Sequence, residues 1–382
     1  MKKIIYSINH FFQKLSRILT QNKILYIEGH TIKMFNRNIS PRLFKILFTL
    51  FITLLIYFFL FIFGTASLFF VLRRSIYIIV PLILVAFGGL YSERSGIVNI
   101  ALEGMMVFGA FIGIMFMVKF QDSSLNNQIV YLIGILLAGI AGMLFSLIHA
   151  FASINMKANQ IISGTALNLL APAFALFVIK LMYGGEDILF RDDYFVRDMG
   201  FLTKIPVLGP ILFEKGYYST FYTIVIIIIA GIFLYKTRIG LRLRACGEHP
   251  HAADAAGIKV SKMRYLGVMI SGLLAGIGGL LLVVPLDVAY RATASGYGFL
   301  ALAVLISGQW KPTRIVVVAI FFGFMLNLSG AYLSIGFLRD AGLPDKVYSM
   351  IPFILTLIVL AFTSKTSQAP RAAGEPYDPG KR

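Results

Sequence analysis

The sequence predicts an all-α polytopic membrane protein with about ten transmembrane helices. Hydrophobic residues make up 58% of the 382 residues and the mean hydropathy is +0.83, which is more apolar surface than one soluble core of this length buries. Apolar stretches of about 20 residues, the length that crosses a bilayer, recur along the chain. The predicted spans are 43–64, 74–91, 97–118, 129–152, 160–182, 217–235, 263–284, 293–308, 313–335 and 347–363.

The distribution of Lys and Arg predicts that the N- and C-termini are both cytoplasmic. Nine of these residues lie within the first 45 positions and seven lie from Lys236 to Arg264, and cytoplasmic segments of membrane proteins carry an excess of positive charge. An even number of spans puts these segments and the tail on one side. Arg73 and Arg74 then fall on the outer side, against the rule. This topology accounts for the net charge of +18, so nucleic acid is not expected as a partner.

Three segments flank or interrupt the predicted bundle at 43–363. Residues 1–42 form a basic extension in which apolar residues from Ile4 to Leu19 recur at helical steps, which favours an amphipathic helix on the bilayer, with a flexible basic leader as the alternative. The outer loop, 183–216, carries six of the seventeen acidic residues and suits either a docking partner or plain solvation. Residues 364–382 are polar and rich in proline and glycine, so we expect a disordered cytoplasmic tail.

The longest polar stretch between two apolar blocks is RACGEHPHAADAAGIKVSKM, residues 244–263. Pro250 and Gly257 bracket an alanine-rich run, which predicts a short helix because proline is favoured at the start of a helix and glycine just past its end. In a chain otherwise suited to lipid, we expect a soluble partner to contact this helix. Cys246 is the only cysteine, which excludes an intramolecular disulfide.

Polar side chains inside the predicted spans indicate a substrate pathway, since such groups are costly in hydrocarbon and tend to face a bundle interior. Asn99 and Glu103 are four residues apart and are expected to share a helix face. Gln160, Gly164 and Asn168 continue the same step on a later helix. We expect the two faces to line one cavity. The alternative is that these residues are hydrogen-bond partners between helices, or helix caps.

Two further features concern helix packing and continuity. Gly272 and Gly276 form a small-xxx-small pair, which predicts close approach of helix backbones. Glu93 and Arg94 lie in a short polar break, SERSG, which we interpret as a cytoplasmic turn; a broken helix lining a pathway is the alternative.

The sequence contains no motif for chemistry of its own. It lacks the phosphate-binding pattern G-x-x-x-x-G-K-[ST] and the hydrolase patterns H-E-x-x-H and G-x-S-x-G, and it predicts no catalytic residue and no metal site. An ion-coupled secondary transporter would need carboxylates at mid-membrane, for which Glu103 and Asp287 are the only candidates. An accessory membrane subunit is a third possibility.

Four segments resemble, in order and spacing, the membrane permeases of bacterial ABC importers. They are GGLYSERSGIVNIALEGMMVFGAFIG, NQIISGTALNLLAP, LRACGEHPHAADAAGIKVSKMRY and GYGFLALAVLISGQWKP. The resemblance covers about residues 75–363 and is to the group that contains the ribose and branched-chain amino acid permeases, most of all to purine-nucleoside permeases. It implies a ten-helix bundle of two pseudo-symmetric halves in the bacterial cytoplasmic membrane.

The resemblance also implies partners and roles. The chain would be a permease subunit for nucleosides, with simple sugars or branched-chain amino acids as alternative substrates. Its partners would be a second homologous permease, an external substrate-binding lipoprotein and an ATP-binding subunit of two fused ATPase domains, which holds ATP and Mg. Residues 247–258 would be the cytoplasmic coupling helix, with contacts to the ATPase from Gly247, Glu248, Pro250, Ala252, Ala253, Asp254, Ala256 and Gly257.

Overall fold

The computed structural model describes residues 27–28, 31–34, 37–39, 65–191, 193–205, 208–335, 339–340, 342–363 and 369–378. The predicted amphipathic helix from Ile4 to Leu19 and the first predicted span, 43–64, lie outside these residues. Within the N-terminal extension, three short strands form an antiparallel sheet in which Ile32 lies opposite Ile39. They are β1 (Ile27–Glu28), β2 (Thr31–Met34) and β3 (Arg37–Ile39).

Helices make up most of the remaining described chain, which confirms the prediction of an all-α polytopic membrane protein. Among the described residues, seven helices are long and apolar enough to cross a membrane: α1, α2, α3, α4, α5, α8 and α10. The helices are α1 (Thr65–Arg94), α2 (Leu102–Phe120), α3 (Asn127–Ala150), α4 (Gln160–Tyr183), α5 (Tyr218–Lys236), α6 (Arg238–Glu248), α7 (Pro250–Ala255), α8 (Val260–Leu286), α9 (Tyr297–Ser307), α10 (Pro312–Gly330) and α11 (Asp345–Thr363).

Two predicted span boundaries are wrong. Helix α1 begins at Thr65, so Arg73 and Arg74 lie within a helix and not in a loop. Helix α9 has only 11 residues, about 16 Å of helix, and does not cross a hydrocarbon core of about 30 Å. The predicted span 293–308 starts too early because Ser295 and Gly296 adopt left-handed backbone, with φ of 53° and 81°, which ends any helix there.

Close glycine contacts join α2, α3 and α8 in the core. A Cβ added to Gly142 would collide with the carbonyl oxygen of Gly272, and one added to Gly276 would collide with the carbonyl oxygen of Ala138. A Cβ on Gly109 would likewise overlap the Gly276 backbone. The predicted close approach at Gly272 and Gly276 is confirmed, and it depends on the absence of side chains at these crossings.

Short strands anchor the chain that follows α8. Strand β4 (Ile188–Leu189) pairs antiparallel with β7 (Ala289–Tyr290), with Ile188 opposite Tyr290. The Tyr290 hydroxyl donates to the carbonyl oxygen of Val107 at 2.7 Å and the ring is fully buried. The segment 287–296 is therefore fixed to α2 and to the predicted outer loop. That loop also contains β5 (Val196–Asp198) and β6 (Glu214–Gly216).

Several acidic residues of the predicted outer loop have partners. Lys180 pairs with Glu186 at 2.9 Å, and the Asn127 side chain donates to Asp193 at 2.8 Å. Asp198 accepts from the Gly200 amide and the Thr203 hydroxyl, each at 2.8 Å. These contacts order parts of the loop, and both the docking and the solvation interpretations stay open.

In the C-terminal region, residues 369–378 form a turn packed on the helical bundle. The Ala372 amide donates to the Gly247 carbonyl at 2.9 Å, the Gly374 amide donates to the Gly96 carbonyl at 3.2 Å, and Ala372 is buried. This differs from the expectation of a disordered tail. Composition alone underestimates order here because the ordering contacts come from residues far away in the sequence.

Candidate functional site

A largely buried, non-helical segment, residues 95–101, joins α1 to α2. Glu93 and Arg94 are the last two residues of α1, directly before this segment. Buried backbone groups outside a helix need other hydrogen-bond partners, because an unpaired buried polar group is costly. The Ser92 hydroxyl donates to the Ile97 carbonyl at 2.8 Å, and a His149 ring nitrogen lies 3.1 Å from the Val98 carbonyl oxygen. Side chains thus supply partners that a continuous helix would provide internally.

Asn99 lies in this irregular segment. Its side chain is fully buried, donates to the Ser271 hydroxyl at 2.8 Å and accepts from the Ala101 amide at 3.0 Å. The expectation that Asn99 and Glu103 share one helix face is wrong, because α2 begins only at Leu102. Asn99 instead fastens the segment to α8.

Gln160, Gly164 and Asn168 lie on the face of α4 that packs on the same segment. Gln160 accepts from the Val98 amide at 2.7 Å. Asn168 accepts from the Gly104 amide at 2.7 Å and donates to the Ile100 carbonyl at 2.8 Å. A Cβ on Gly164 would lie 3.1 Å from the Ile100 Cβ, so little space separates the backbones. The structure brings these three residues and Asn99 to the same irregular segment. Their contacts are those of the alternative interpretation, in which they are hydrogen-bond partners between helices or helix caps.

Glu103 connects the beginnings of two helices. It lies in the first turn of α2, is largely buried, and its two carboxylate oxygens accept from the amides of Gly296 at 2.8 Å and Gly298 at 2.6 Å. These amides belong to the N-terminal end of α9, where backbone N–H groups lack helical acceptors and favour negative charge. A Cβ on Gly298 would collide with the Glu103 backbone, so glycine permits the contact.

A cavity of about 270 Å³ lies between the end of α8 and the start of α9. Its walls combine an aromatic ring, both signs of charge and hydroxyl groups. The lining includes Arg74, Asp287, Arg291, Thr293, Ser295 and Tyr297. Small-molecule sites are concave and combine apolar walls with a few polar groups; this cavity is concave, but more of its accessible wall is polar than apolar.

The charged groups of this cavity are available to a ligand. Across the part of the chain that the structure describes, Arg74, Asp287 and Arg291 form no ion pair and no side-chain hydrogen bond. Ala292 and Ser295 have φ of 52° and 53°, a region that residues with side chains rarely adopt and that is concentrated at functional sites. From the sequence, Asp287 was named only as a candidate carboxylate for ion coupling. The cavity was missed because its lining joins Arg74 of α1 to the distant stretch 282–297.

The predicted short helix is present as α7, six residues from Pro250 to Ala255, followed by Gly257 at φ 79°. The proline and glycine positions predicted from sequence are confirmed. Ala253 is buried at 4% exposure, against Cys246 and Val260. Four of the other predicted contact residues are exposed, together with His251: Ala252, Asp254, Ala256 and Gly257. Glu248 and Pro250 are half-buried and Gly247 is buried.

A polar cluster ties α6 to the end of α1. Arg94 pairs with Glu248 at 3.1 Å and donates to the Trp310 carbonyl at 3.0 Å. The Trp310 indole donates to the buried Glu93 carboxylate. Gly247 is packed so closely that an added Cβ would collide with the Arg94 carbonyl oxygen. From the sequence, Glu93 and Arg94 were interpreted as a cytoplasmic turn, with a broken helix as the alternative; the single tryptophan of the chain, shortly after an apolar helix, was the signal available for this contact.

Comparison with known proteins matches residues 71–360 to the family described as "Branched-chain amino acid transport system / permease component". The matched region begins within α1 and ends within α11, so it contains the polar contacts, the cavity and α7.

Curated relatives cover most of the chain. The guanosine ABC transporter permease protein NupQ of Bacillus subtilis is 44% identical over 79% of this chain and 94% of its own length. The nucleoside ABC transporter permease protein NupC of Lactococcus lactis is 37% identical over 78% and 93%. The putative glucose ABC transporter permease protein TsgC13 of Haloferax volcanii is 29% identical over 76% and 91%. With the family match spanning most of its length, the chain belongs to the permease component family of branched-chain amino acid transport systems.

Proposed function

We propose that this chain is the membrane-spanning permease subunit of an ATP-driven importer of nucleosides. The observation that carries the proposal is the 44% identity to a guanosine permease and the 37% identity to a nucleoside permease, each over more than three quarters of the chain. The cavity between α8 and α9 supports the proposal. Its lining offers an aromatic ring face together with both hydrogen-bond donors and hydrogen-bond acceptors.

The energy source in this proposal is a partner. The chain has no phosphate-binding loop, so ATP and Mg are bound by an ATP-binding subunit, with two fused ATPase domains. A second homologous permease completes the membrane portion and an external lipoprotein delivers the substrate. The complex lies in the bacterial cytoplasmic membrane, as the bacterial sources of the two nucleoside relatives favour.

We also propose ten membrane passages with both termini cytoplasmic. Seven described helices have the required length and apolarity. The other three passages are 43–64, α11, and α9 together with the segment that leads into it. In this arrangement α7 is cytoplasmic and the cavity at the end of α8 opens toward the outer side, because the 27 residues of α8 cross the bilayer between them.

The substrate enters at the cavity and passes the polar contacts around residues 95–104. A nucleoside presents a planar base, which stacks on Tyr297. Its hydroxyl and amino groups donate to Asp287, and its hydroxyl oxygens, carbonyl oxygens and ring nitrogens accept from Arg74 and Arg291. Asn99, Glu103, Gln160, Gly164 and Asn168 hold the irregular backbone that borders this route. Their hydrogen bonds to backbone amides and carbonyls keep the start of α2 and the start of α9 side by side.

Coupling runs through Gly247 to Ile258. ATP binding reorients the permease only if this segment contacts the ATPase differently in its open and closed states. Gly247 and Glu248 connect α7 to Arg94, and through the Trp310 contacts to the end of α1. Movement of α7 is thereby transmitted to the segment that carries Asn99.

The test is transport by the complete importer in lipid vesicles. The assay measures ATP-dependent uptake of labelled guanosine. Unlabelled nucleosides are expected to compete with this uptake, while ribose, glucose and leucine are not. Competition by glucose or leucine but not by nucleosides would overturn the assignment of substrate. Proton-driven uptake by the purified chain alone would overturn the ATP-driven mechanism.

A second arm tests the cavity. Tyr297→Ala is expected to lower guanosine uptake about tenfold, because aromatic stacking on a base contributes about 1–3 kcal/mol. Tyr297→Phe, which keeps the ring, should retain most activity. Val288→Ala, a change at an exposed neighbour outside the cavity lining, is the matched control. Equal uptake by Tyr297→Ala and wild type would remove the cavity from the route.

A further inference from the structure

The C-terminal segment, residues 369–378, lies on the same part of the bundle as α7. Besides the backbone bond from Ala372 to Gly247, the Arg371 amide lies 3.5 Å from a carboxylate oxygen of Glu248. Lys157, after α3, pairs with Asp378 at 3.1 Å. The segment is therefore attached both to the residues that lead into α7 and to the connection between α3 and α4.

A buried cation depends on this segment. Arg264, in the second turn of α8, is 1% exposed, and its guanidinium donates to the Glu375 carbonyl at 2.9 Å. The guanidinium carbon lies 5.9 Å from the centre of the Tyr377 ring, a cation–π distance. The Nε and Nη2 atoms of Arg264 have no hydrogen-bond partner within the described residues. Because an uncompensated buried charge is costly, these contacts hold the C-terminal segment in place.

The Tyr377 ring extends the packing beneath α7. It contacts the small apolar cluster that includes Cys246, Ala253 and Val260, and its centre lies 5.3 Å from that of the His251 ring. Between α7 and the C-terminal segment runs a groove of about 440 Å³, with residues 248–252 on one side and 371–377 on the other. Arg371 and Glu375 are exposed on its C-terminal wall.

Helix α7 is too small to form a stable docking surface alone. Its six residues extend about 9 Å, whereas a specific interface buries about 800 Å² on each partner. A partner seated on the exposed face of α7 reaches the groove and its second wall directly, since the two are continuous. We propose that residues 369–378 and α7 form one composite docking surface for the ATP-binding subunit, with the groove receiving a side chain of that partner.

This inference rests on the proposed function, in which α7 is the coupling helix. The test uses cysteine variants of the full importer and maleimide labelling, with and without the ATP-binding subunit. The native Cys246 needs no removal, since burial raises the pKa of its thiol to about 11 and the residue is buried. The test positions are Arg371→Cys and Glu375→Cys. Ala256→Cys reports on α7, and Lys204→Cys in the predicted outer loop is the matched exposed control.

We expect the ATP-binding subunit to slow labelling of Arg371→Cys, Glu375→Cys and Ala256→Cys at least tenfold and to leave Lys204→Cys unchanged. Protection of Ala256→Cys without protection of Arg371→Cys and Glu375→Cys would overturn the composite surface and leave the coupling helix intact. Absence of protection at all three positions would overturn the coupling assignment itself, while guanosine uptake would still test the transport function separately.

A second measurement separates docking from simple loss of fold. Tyr377→Ala is expected to lower the amount of ATP-binding subunit that copurifies with the permease about tenfold, whereas Tyr377→Phe retains the ring and should copurify like wild type. Both variants are compared with wild type at equal permease content, and their melting temperatures are measured to show that they are folded. Equal copurification of Tyr377→Ala and wild type would count against the proposal.

Discussion

Asn168 and Gly104 are joined where α2 begins. The Gly104 amide, in the first turn of α2, has no acceptor within its own helix and donates to the Asn168 side chain at 2.7 Å. The same side chain donates to the Ile100 carbonyl at 2.8 Å. One amide group on α4 therefore satisfies two backbone groups of the irregular segment, which makes Asn168 a determinant of the local backbone path.

Asn168→Leu is expected to lower the free energy of unfolding by about 2 kcal/mol and guanosine uptake at least tenfold, because two buried backbone groups lose their partners. Thermal unfolding in detergent and vesicle uptake at equal expression measure these effects. Thr165→Val is the control on the same helix, since within the described residues the Thr165 hydroxyl bonds to carbonyls of its own helix alone. Wild-type uptake and stability in Asn168→Leu would contradict the assignment.

Gly298→Ala is expected to destabilise the protein by about 2 kcal/mol or more, because the added methyl group overlaps the backbone of Glu103 and overpacking costs about 1–3 kcal/mol. Gly330→Ala, at the end of α10, is the matched control, since a Cβ there meets no atom of the described part of the chain within 4 Å. Melting temperatures of the two variants provide the measurement. Equal values would show that α9 shifts to accommodate the methyl group.

Ala253→Glu and Ala256→Glu are expected to fail in different ways. Ala253 is buried, so a carboxylate there lowers stability and the yield of folded permease. Ala256 is exposed, so the same change leaves folding intact and reduces substrate-stimulated ATP hydrolysis by the complex at least tenfold. Size-exclusion profiles and ATPase rates distinguish the two outcomes. A well-folded Ala256→Glu complex with normal coupling would argue against α7 as the coupling helix.

The Cys246 thiol is expected to resist maleimide at pH 8. Burial raises its pKa to about 11, so about one part in a thousand is thiolate, compared with roughly a quarter for an exposed cysteine. Labelling should become fast after denaturation and should rise with pH in the folded protein. Fast labelling of the native permease at pH 8 would show that the cluster of Cys246, Ala253 and Val260 opens to solvent.

Patterns with a local cause were predictable from the sequence. The proline and glycine that bound α7, and the Gly272–Gly276 pair that allows close helix packing, follow from backbone geometry and from the absence of a side chain. The apolar lengths predicted that the chain crosses a membrane, and the described helices agree with this.

Features that depend on distant parts of the chain were not predictable. Asn99 was placed on a helix by its spacing to Glu103, yet the helix begins later because Ser271 and Gln160 hold residues 98 and 99 in an irregular path. The C-terminal segment looked too polar to fold, but Arg264 supplies its anchor from α8. In both cases a contact from far along the chain overrides the local pattern.

The glycine crossings between α2, α3 and α8 restrict how the protein can move. At these crossings backbone lies directly on backbone. A shift of α8 that put Leu273 in the place of Gly272, or Ile277 in the place of Gly276, would drive a side chain into the backbone of α3 at Gly142 or Ala138. We therefore expect the three helices to move as one rigid unit. A rearrangement of this chain that keeps these crossings intact therefore has to move the remaining helices relative to α2, α3 and α8, or move those three together.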